Sequence, residues 1–226
     1  VLAGNIVMQL AKTHNVSIIP IDSEHSALFQ SLRSGAHHEI QRLILTMGKG
    51  PIAAMDKQRL SKVSMQDVLT RPSWNMRMKI NVDSATCVNK AFEVIEARWL
   101  FDVPADKISI VVHPQYICHS LVEFKDGSLI CELGTADMKR YTQYALFYPD
   151  RGISPKGAFI DLFEKTIAFE APPFDKFPCL SMGHYVIERG GTMPAVFHGA
   201  DTAAVKAFMD KKIKFTDIPV IIQNTM

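Results

Sequence analysis

Short apolar runs separated by turn residues divide the chain into strands and helices. Continuous β-branched and apolar stretches predict five strands, because each is too short for a stable helix and is bounded by turn residues. The predicted strands cover residues 16–21 (VSIIPI), 43–46, 107–115 (KISIVVHPQ), 116–124 (YICHSLVEF) and 128–134 (SLICELG). The sequence KDG at 125–127 predicts a hairpin between the last two strands.

Apolar residues spaced three and four apart predict helices between and after these strands. The predicted helical stretches are residues 1–15, the first part of 60–78, 81–101, 155–165, 177–191, 199–213 and 216–226. In the first helix, Ile6, Val7, Leu10 and Ala11 are expected to face the core. The fold class that follows is α/β, with a mixed sheet and helices in an α+β catalytic domain, and then a helical connecting segment.

Composition excludes several classes of protein. The chain has 226 residues, a formal net charge of +2 and 21% charged residues, so neither a nucleic-acid partner nor a membrane surface is indicated. Its four cysteines are far apart and include no CxxC pair, which favours a reducing, cytoplasmic setting without structural zinc. Because residue 1 is valine and the last predicted helix stops after about two turns, we expect an internal piece of a longer protein.

Two carboxylates follow the first predicted strand, at Asp22 and Glu24. If the extended conformation continues, both point to one side and Ser23 to the other, and a divalent cation that prefers oxygen would offset their repulsion. The alternative is structural, with Asp22 or Ser23 capping a helix and Glu24 in its first turn.

A second polar group lies in the stretch 81–101. The predicted helix begins at Asp83 or Ser84 and buries a stripe of apolar residues, Val88, Phe92, Ile95 and Trp99. Ser84, Asn89 and Lys90 near a helix N-terminus would supply hydrogen-bond donors and positive charge suited to a phosphate, and Glu93 lies one turn on. The alternative is a plain cap at Ser84 and a weak surface pair between Lys90 and Glu93.

Four stretches together resemble one enzyme family. They are PIDSEHSALFQ, PSWNMRMKINVDSATCVNKAFEVIEARWLF, HPQYICHSLVEFKDGS and YPDR, in the family's order along nearly the whole chain. The chain is similar to 1-deoxy-D-xylulose 5-phosphate reductoisomerases, which use NADPH to make methylerythritol phosphate for isoprenoid synthesis. The resemblance implies an NADPH-dependent enzyme of a cytoplasm or plastid. It also implies a phosphorylated small substrate and a homodimer.

The resemblance also implies roles for particular residues. Asp22, Glu24 and Glu93 would hold one Mg²⁺ or Mn²⁺, with Glu24 and Glu93 serving catalysis. The residues expected to bind substrate are Ser23, Ser84, Asn89, Lys90, Arg71, Trp74 and Met76, the last three from a flap near 70–80. Residues 1–50 would end a Rossmann-like dinucleotide-binding domain, 51–180 form the catalytic domain, and 181–226 form a helical linker and the start of a C-terminal helical domain.

The chain departs from the family pattern at several positions. The glycine-rich dinucleotide fingerprint is missing, so the NADPH site would lie largely outside this chain and the chain alone is expected to be inactive. Gly48 replaces a phosphate-contacting serine, Arg71 a flap histidine, and Tyr116 the serine after His-Pro-Gln, while HGADT at 198–202 replaces Asn-Ala-Ala-Asn-Glu. Two alternatives therefore stay open: a homologue without turnover, and a metal-dependent sugar-phosphate lyase without the reductase step.

Overall fold

The computed structural model describes residues 1–50, 52–69, 78–154, 159–163 and 165–226. Within them lie ten α-helices: α1 Gly4–Thr13, α2 Ser23–Ser31, α3 Lys57–Leu60, α4 Met65–Leu69, α5 Met78–Ala85, α6 Val88–Phe101, α7 Met138–Phe147, α8 Cys179–Arg189, α9 Met193–Met209 and α10 Asp217–Thr225. The strands are β1 Ile40–Met47, β2 Ile108–Val112, β3 Cys118–Phe124 and β4 Leu129–Leu133. This arrangement confirms the predicted α/β class.

Residues 4–48 and 97–172 form one compact unit, here called the sheet unit. Its sheet has the order β2-β1-β3-β4, in which β1 pairs parallel with β2 and antiparallel with β3. Leu43 lies opposite Val122, and both are fully buried because β1 and β3 are the central strands. The four predicted strands from 43 onward are confirmed, as is the hairpin, whose Gly127 takes φ +86°.

Two predictions at the start of the chain are wrong. Residues 16–21 join no sheet in the described part of the chain, and Val16 and Ile21 are exposed. In α1 only Ala11 of the four predicted core positions is buried, whereas Ile6 is 62% exposed. Apolar periodicity defines a face and an extended run, but it does not supply the neighbouring surface that would bury them.

Residues 1–3, 49–96 and 173–226 form the second unit, here called the helical unit. Phe92 packs on Phe197 of α9 with ring centroids 5.0 Å apart, and Ile218 and Ile222 of α10 are fully buried. The close approach of α8 to α6 depends on Gly183, because a Cβ there would lie 2.5 Å from the Ala91 carbonyl oxygen.

The helix predicted over 155–165 is wrong in its described part. Residues 159–163 are not helical, and the Asp161 side chain accepts a hydrogen bond of 2.9 Å from the Phe163 amide. Such local side-chain bonds compete with helix formation, and Phe163 is 86% exposed, so packing does not stabilise a helix there. Residues 155–158 and 164, and the flap residues Arg71, Trp74 and Met76, lie outside the described residues.

Among the described residues, every helix is too short or too polar to cross a bilayer.

Candidate functional site

Asp22 begins α2 rather than continuing a strand. Its carboxylate accepts a hydrogen bond of 2.9 Å from the Ser23 amide and its carbonyl accepts one of 2.8 Å from the Ser26 amide, as an N-cap residue does. The predicted helix cap at Asp22 is therefore confirmed, and the alternating strand arrangement is wrong. The two carboxylates remain neighbours, since Glu24 occupies the first turn of the same helix.

The side chains of this helix start are held by local contacts. Ser23 Oγ donates to Glu24 Oε2 at 2.5 Å, and His25 Nδ1 lies 3.4 Å from Asp22 Oδ2. The Asp22 side chain is 45% exposed, while that of His25 is 1% exposed. The helix therefore presents an accessible carboxylate beside one whose orientation is set by a neighbouring hydroxyl.

His119 and Tyr141, which the sequence did not single out for a role, interact electrostatically with Glu24. Burial lowers the pKa of His119, an effect that the charge of Glu24 opposes, and burial raises the pKa of Tyr141, which Glu132 and Glu24 raise further. His119 Nε2 is 3.1 Å from the Gly134 carbonyl oxygen. Tyr141 donates to Glu132 Oε2 at 3.3 Å, so both side chains have a fixed partner in the sheet unit. They are distant in the sequence from Glu24, and no local motif marks them.

The helix predicted over 81–101 is in fact two helices. α5 ends at Ala85 and α6 begins at Val88, with Cys87 between them at φ +65°. The predicted start at Asp83 or Ser84 is wrong, because Ser84 lies in the last turn of α5. Thr86 Oγ1 instead accepts a hydrogen bond of 3.4 Å from the Val88 amide. Asn89 and Lys90 remain in the first turn of α6, and the N-terminal end of a helix favours an anion.

Lys90 and Glu93 form a buried ion pair. Their side chains are 7% and 4% exposed, and Lys90 Nζ donates to Glu93 Oε2. Asn89 Nδ2 donates to Glu93 Oε1 at 2.6 Å. The alternative of a weak surface pair is therefore wrong. A buried pair costs desolvation energy, so it is weak evidence for stability, and its position makes these residues candidates for a functional site.

A second charge cluster, with two buried carboxylates and a half-buried lysine, lies directly before Ser84. Lys79 Nζ is 2.7 Å from Asp83 Oδ2 and 2.5 Å from Asp201 Oδ2 of α9. Burial, followed by the charge of Asp201, raises the pKa of Asp83 to about 6. Asp201 comes from the HGADT stretch that departs from the family pattern. This cluster fastens α5 to α9 and thereby fixes the backbone next to Ser84.

The predicted site residues therefore fall into two groups. Asp22, Ser23 and Glu24 adjoin one another in the sheet unit. Ser84, Asn89, Lys90 and Glu93 lie on α5 and the start of α6 in the helical unit. The side chains of the first group offer only oxygen atoms as metal ligands. The second group offers hydrogen-bond donors, namely an amide, an ammonium group and a hydroxyl, together with one carboxylate.

Two family models match the chain. The 1-deoxy-D-xylulose 5-phosphate reductoisomerase C-terminal domain matches residues 18–101, and the DXP reductoisomerase C-terminal domain matches residues 133–226. A 1-deoxy-D-xylulose 5-phosphate reductoisomerase from Thermoanaerobacter sp. strain X514 is 48% identical over 227 residues, covering 100% of this chain and 59% of the relative. The enzyme of that name from Acetivibrio thermocellus is 46% identical with the same coverage. The chain thus spans 59% of the length of these curated relatives.

Solved structures give the same result. A DOX-P reductoisomerase in complex with NADPH, fosmidomycin and magnesium is 38% identical with a TM-score of 0.91, covering 99% of this chain and 57% of that chain. The reductoisomerase of Zymomonas mobilis in complex with NADPH is 36% identical with a TM-score of 0.91, covering 98% and 57%. Both family models, the curated relatives and the solved structures name one enzyme, and the chain belongs to the 1-deoxy-D-xylulose 5-phosphate reductoisomerase family.

Proposed function

We propose that this chain carries the metal- and substrate-binding residues of an NADPH-dependent 1-deoxy-D-xylulose 5-phosphate reductoisomerase. Such an enzyme rearranges the carbon skeleton of its substrate and reduces the resulting aldehyde to 2-C-methyl-D-erythritol 4-phosphate, a step of isoprenoid synthesis. The observation that best supports the proposal is the group at the start of α6, in which half-buried Asn89 and buried Lys90 both donate to the buried carboxylate of Glu93. Burying these two charges costs desolvation energy that their pairing offsets only in part, so the group is a poor device for stability and a good candidate for ligand binding.

Asp22, Glu24 and Glu93 are the proposed metal ligands. They are three carboxylates without a nitrogen or sulfur donor, a set that suits Mg²⁺ or Mn²⁺. A metal bound there would polarise the substrate carbonyl and hold neighbouring substrate oxygens in register. Glu24 and Glu93 would serve catalysis by presenting these ligand oxygens. The Ser23 hydroxyl orients Glu24, and Asn89 and Lys90 orient Glu93.

Ser84, Asn89 and Lys90 are the proposed phosphate-binding residues. A hydroxyl, an amide and an ammonium group supply donors, and the ammonium group offsets the negative charge of the phosphate. Ser23 is proposed to contact the sugar end. Arg71, Trp74 and Met76 are proposed to cover the bound substrate and exclude water.

Several finer statements stay predictions. They are the use of Mn²⁺, a homodimer, a cytoplasmic location, and the division at residues 50 and 180 into dinucleotide-binding, catalytic and C-terminal parts. NADPH is proposed to bind largely through residues outside this chain. Neither the lyase nor the homologue without turnover is favoured by any described contact.

Calorimetric titration tests the proposal. Mn²⁺ and then 1-deoxy-D-xylulose 5-phosphate are titrated into the chain and into Glu93→Gln, after circular dichroism has shown that each is folded. We expect metal-dependent substrate binding in the parent chain and its loss in the variant.

Two further variants control for folding and for charge. Asp22→Asn removes a proposed ligand charge at an accessible side chain and keeps a good N-cap residue, so its loss of metal binding cannot be ascribed to unfolding. Glu188→Gln changes an exposed glutamate of α8 and should bind as the parent does. A folded parent chain that binds neither ligand would refute the proposal.

A further inference from the structure

Two departures from the family pattern pack directly on each other. Gly48 follows β1, and Tyr116 lies in the turn between β2 and β3. A Cβ built on Gly48 would lie 1.8 Å from Cε1, 1.9 Å from Cζ and 2.1 Å from the hydroxyl oxygen of Tyr116. No side chain can share that space with the tyrosine ring. The glycine at 48 and the tyrosine at 116 are therefore sterically coupled.

The turn that carries Tyr116 is fixed by buried His113. The His113 amide donates to the Met47 carbonyl oxygen at 2.7 Å, and its Nε2 accepts from the Ile117 amide at 3.2 Å. Its Nδ1 lies 2.9 Å from the Ala168 carbonyl oxygen. Tyr116 itself takes φ +54°, a left-handed conformation that a tyrosine adopts only when its surroundings enforce it. The position of its ring is thus set by the fold.

The ring lies where a ligand is expected in this topology. β1 and β2 are parallel, and Met47 pairs with Val112 at their carboxyl ends, directly before Gly48 and His113. Open α/β sheets bind ligands beyond the carboxyl ends of such strands. Tyr116 is half-buried, so its ring is anchored while part of the side chain faces solvent.

We propose that the Tyr116 hydroxyl takes the place of the serine hydroxyl that the family pattern has at position 48, as a hydrogen-bond donor to the substrate phosphate. This inference rests on the proposed function. A serine hydroxyl stands one bond from its Cβ, and the tyrosine hydroxyl oxygen lies 2.1 Å from that Cβ position, so both occupy the same small volume. Both groups donate one O–H, and a bond to a charged phosphate is stronger than one between neutral groups.

The first test compares Tyr116→Phe with the parent chain by calorimetry in the presence of Mn²⁺. The variant keeps the ring and its packing and removes only the hydroxyl. We expect affinity for 1-deoxy-D-xylulose 5-phosphate to fall by about tenfold to a hundredfold, and affinity for Mn²⁺ to stay unchanged. Tyr185→Phe, at an exposed tyrosine of α8, should bind both ligands as the parent does.

A substitution cycle provides the second test. Gly48→Ser alone should weaken substrate binding, because its Cβ would displace the Tyr116 ring. Tyr116→Ser alone should weaken it through loss of the hydroxyl at that position. The combined variant should recover affinity to within a few fold of the parent, because a serine at 48 then has room.

The outcomes separate this inference from the function on which it rests. If Tyr116→Phe binds substrate as tightly as the parent chain does, the role of the hydroxyl is overturned and the proposed function still stands. A combined variant that binds no better than Tyr116→Ser would overturn the replacement of one hydroxyl by the other. A folded parent chain that binds no substrate would overturn both proposals.

Discussion

The cluster of Lys79, Asp83 and Asp201 places two buried carboxylates on one half-buried lysine. Asp201 is fully buried and Asp83 is 6% exposed. Among the described residues, the Oδ1 atom of each carboxylate has no hydrogen-bond partner. Burial and the neighbouring Asp201 charge raise the pKa of Asp83 from 3.8 to about 6. The native state therefore binds a proton at Asp83 more tightly than the unfolded chain does.

The sign and size of the pH effect follow from that shift. Between about pH 4 and pH 6 the native state binds more protons here than the unfolded chain, so stability falls as pH rises through this window. The rise of the Asp83 pKa from 3.8 to about 6 corresponds to about 3 kcal/mol in the free energy of unfolding. Above about pH 7 the chain is less stable by this full amount than at low pH. Below about pH 4 the Asp83 carboxyl is protonated in the native and the unfolded state, so it no longer lowers the free energy of unfolding.

Asp201→Asn should therefore stabilise the chain at high pH. The substitution keeps the side-chain shape, removes the repulsion and leaves Lys79 paired with Asp83. Because burial is the larger cause of the Asp83 shift, only part of the cost is recovered. We expect a gain of about 1 to 2 kcal/mol at pH 8, equivalent to about 2 to 8 °C in Tm, and a smaller gain at pH 5.

Thermal unfolding followed by circular dichroism at pH 5 and pH 8 measures this effect. Asp175→Asn, at an exposed aspartate of the same unit, is the matched control and should change Tm little at either pH. An Asp201→Asn variant that is destabilised at both pH values would refute the reasoning, since it would mean that the bond from Lys79 to Asp201 stabilises the chain more than the repulsion between the two carboxylates destabilises it.

Three further perturbations have defined outcomes. Lys79→Met leaves two buried carboxylates without a cation and should cost about 3 to 5 kcal/mol in urea unfolding at pH 8. Gly183→Ala should cost about 1 to 3 kcal/mol, because the new Cβ meets the Ala91 carbonyl oxygen at 2.5 Å, whereas Gly199→Ala has open space and should be neutral or stabilising by up to about 1 kcal/mol. Asp22→Ala should lose about 1 kcal/mol of N-cap stability that Asp22→Asn retains, and equal melting temperatures for these two would contradict the capping role.

The parts of the structure that depend on local pattern could be predicted from the amino-acid sequence. The strands β1 to β4 and the hairpin at Gly127 follow from short apolar runs and a turn glycine, whose preferences act over a few residues. The same holds for α8 and its glycine end. The candidate site residues were also identified from the sequence, because the family motifs that carry them are contiguous.

Which faces of these elements are buried, and where helices break, depends on contacts between distant parts of the chain. The run at 16–21 and the apolar face of α1 have the local pattern of buried elements, yet Val16 and Ile6 are exposed. The break at Cys87 separates Ser84 from the start of α6, which residue spacing alone does not reveal. In each case the outcome depends on surfaces contributed by distant parts of the chain.

The tertiary structure also decided the partners of the polar groups. Lys79 meets a carboxylate 122 residues away, and the space beside Gly48 is filled by Tyr116. Lys90 and Glu93 are buried although their spacing is equally typical of a solvent-exposed helix face. Sequence supplies the chemical groups, but burial and long-range contacts set their charge states and their neighbours, and these arise only when the chain is folded.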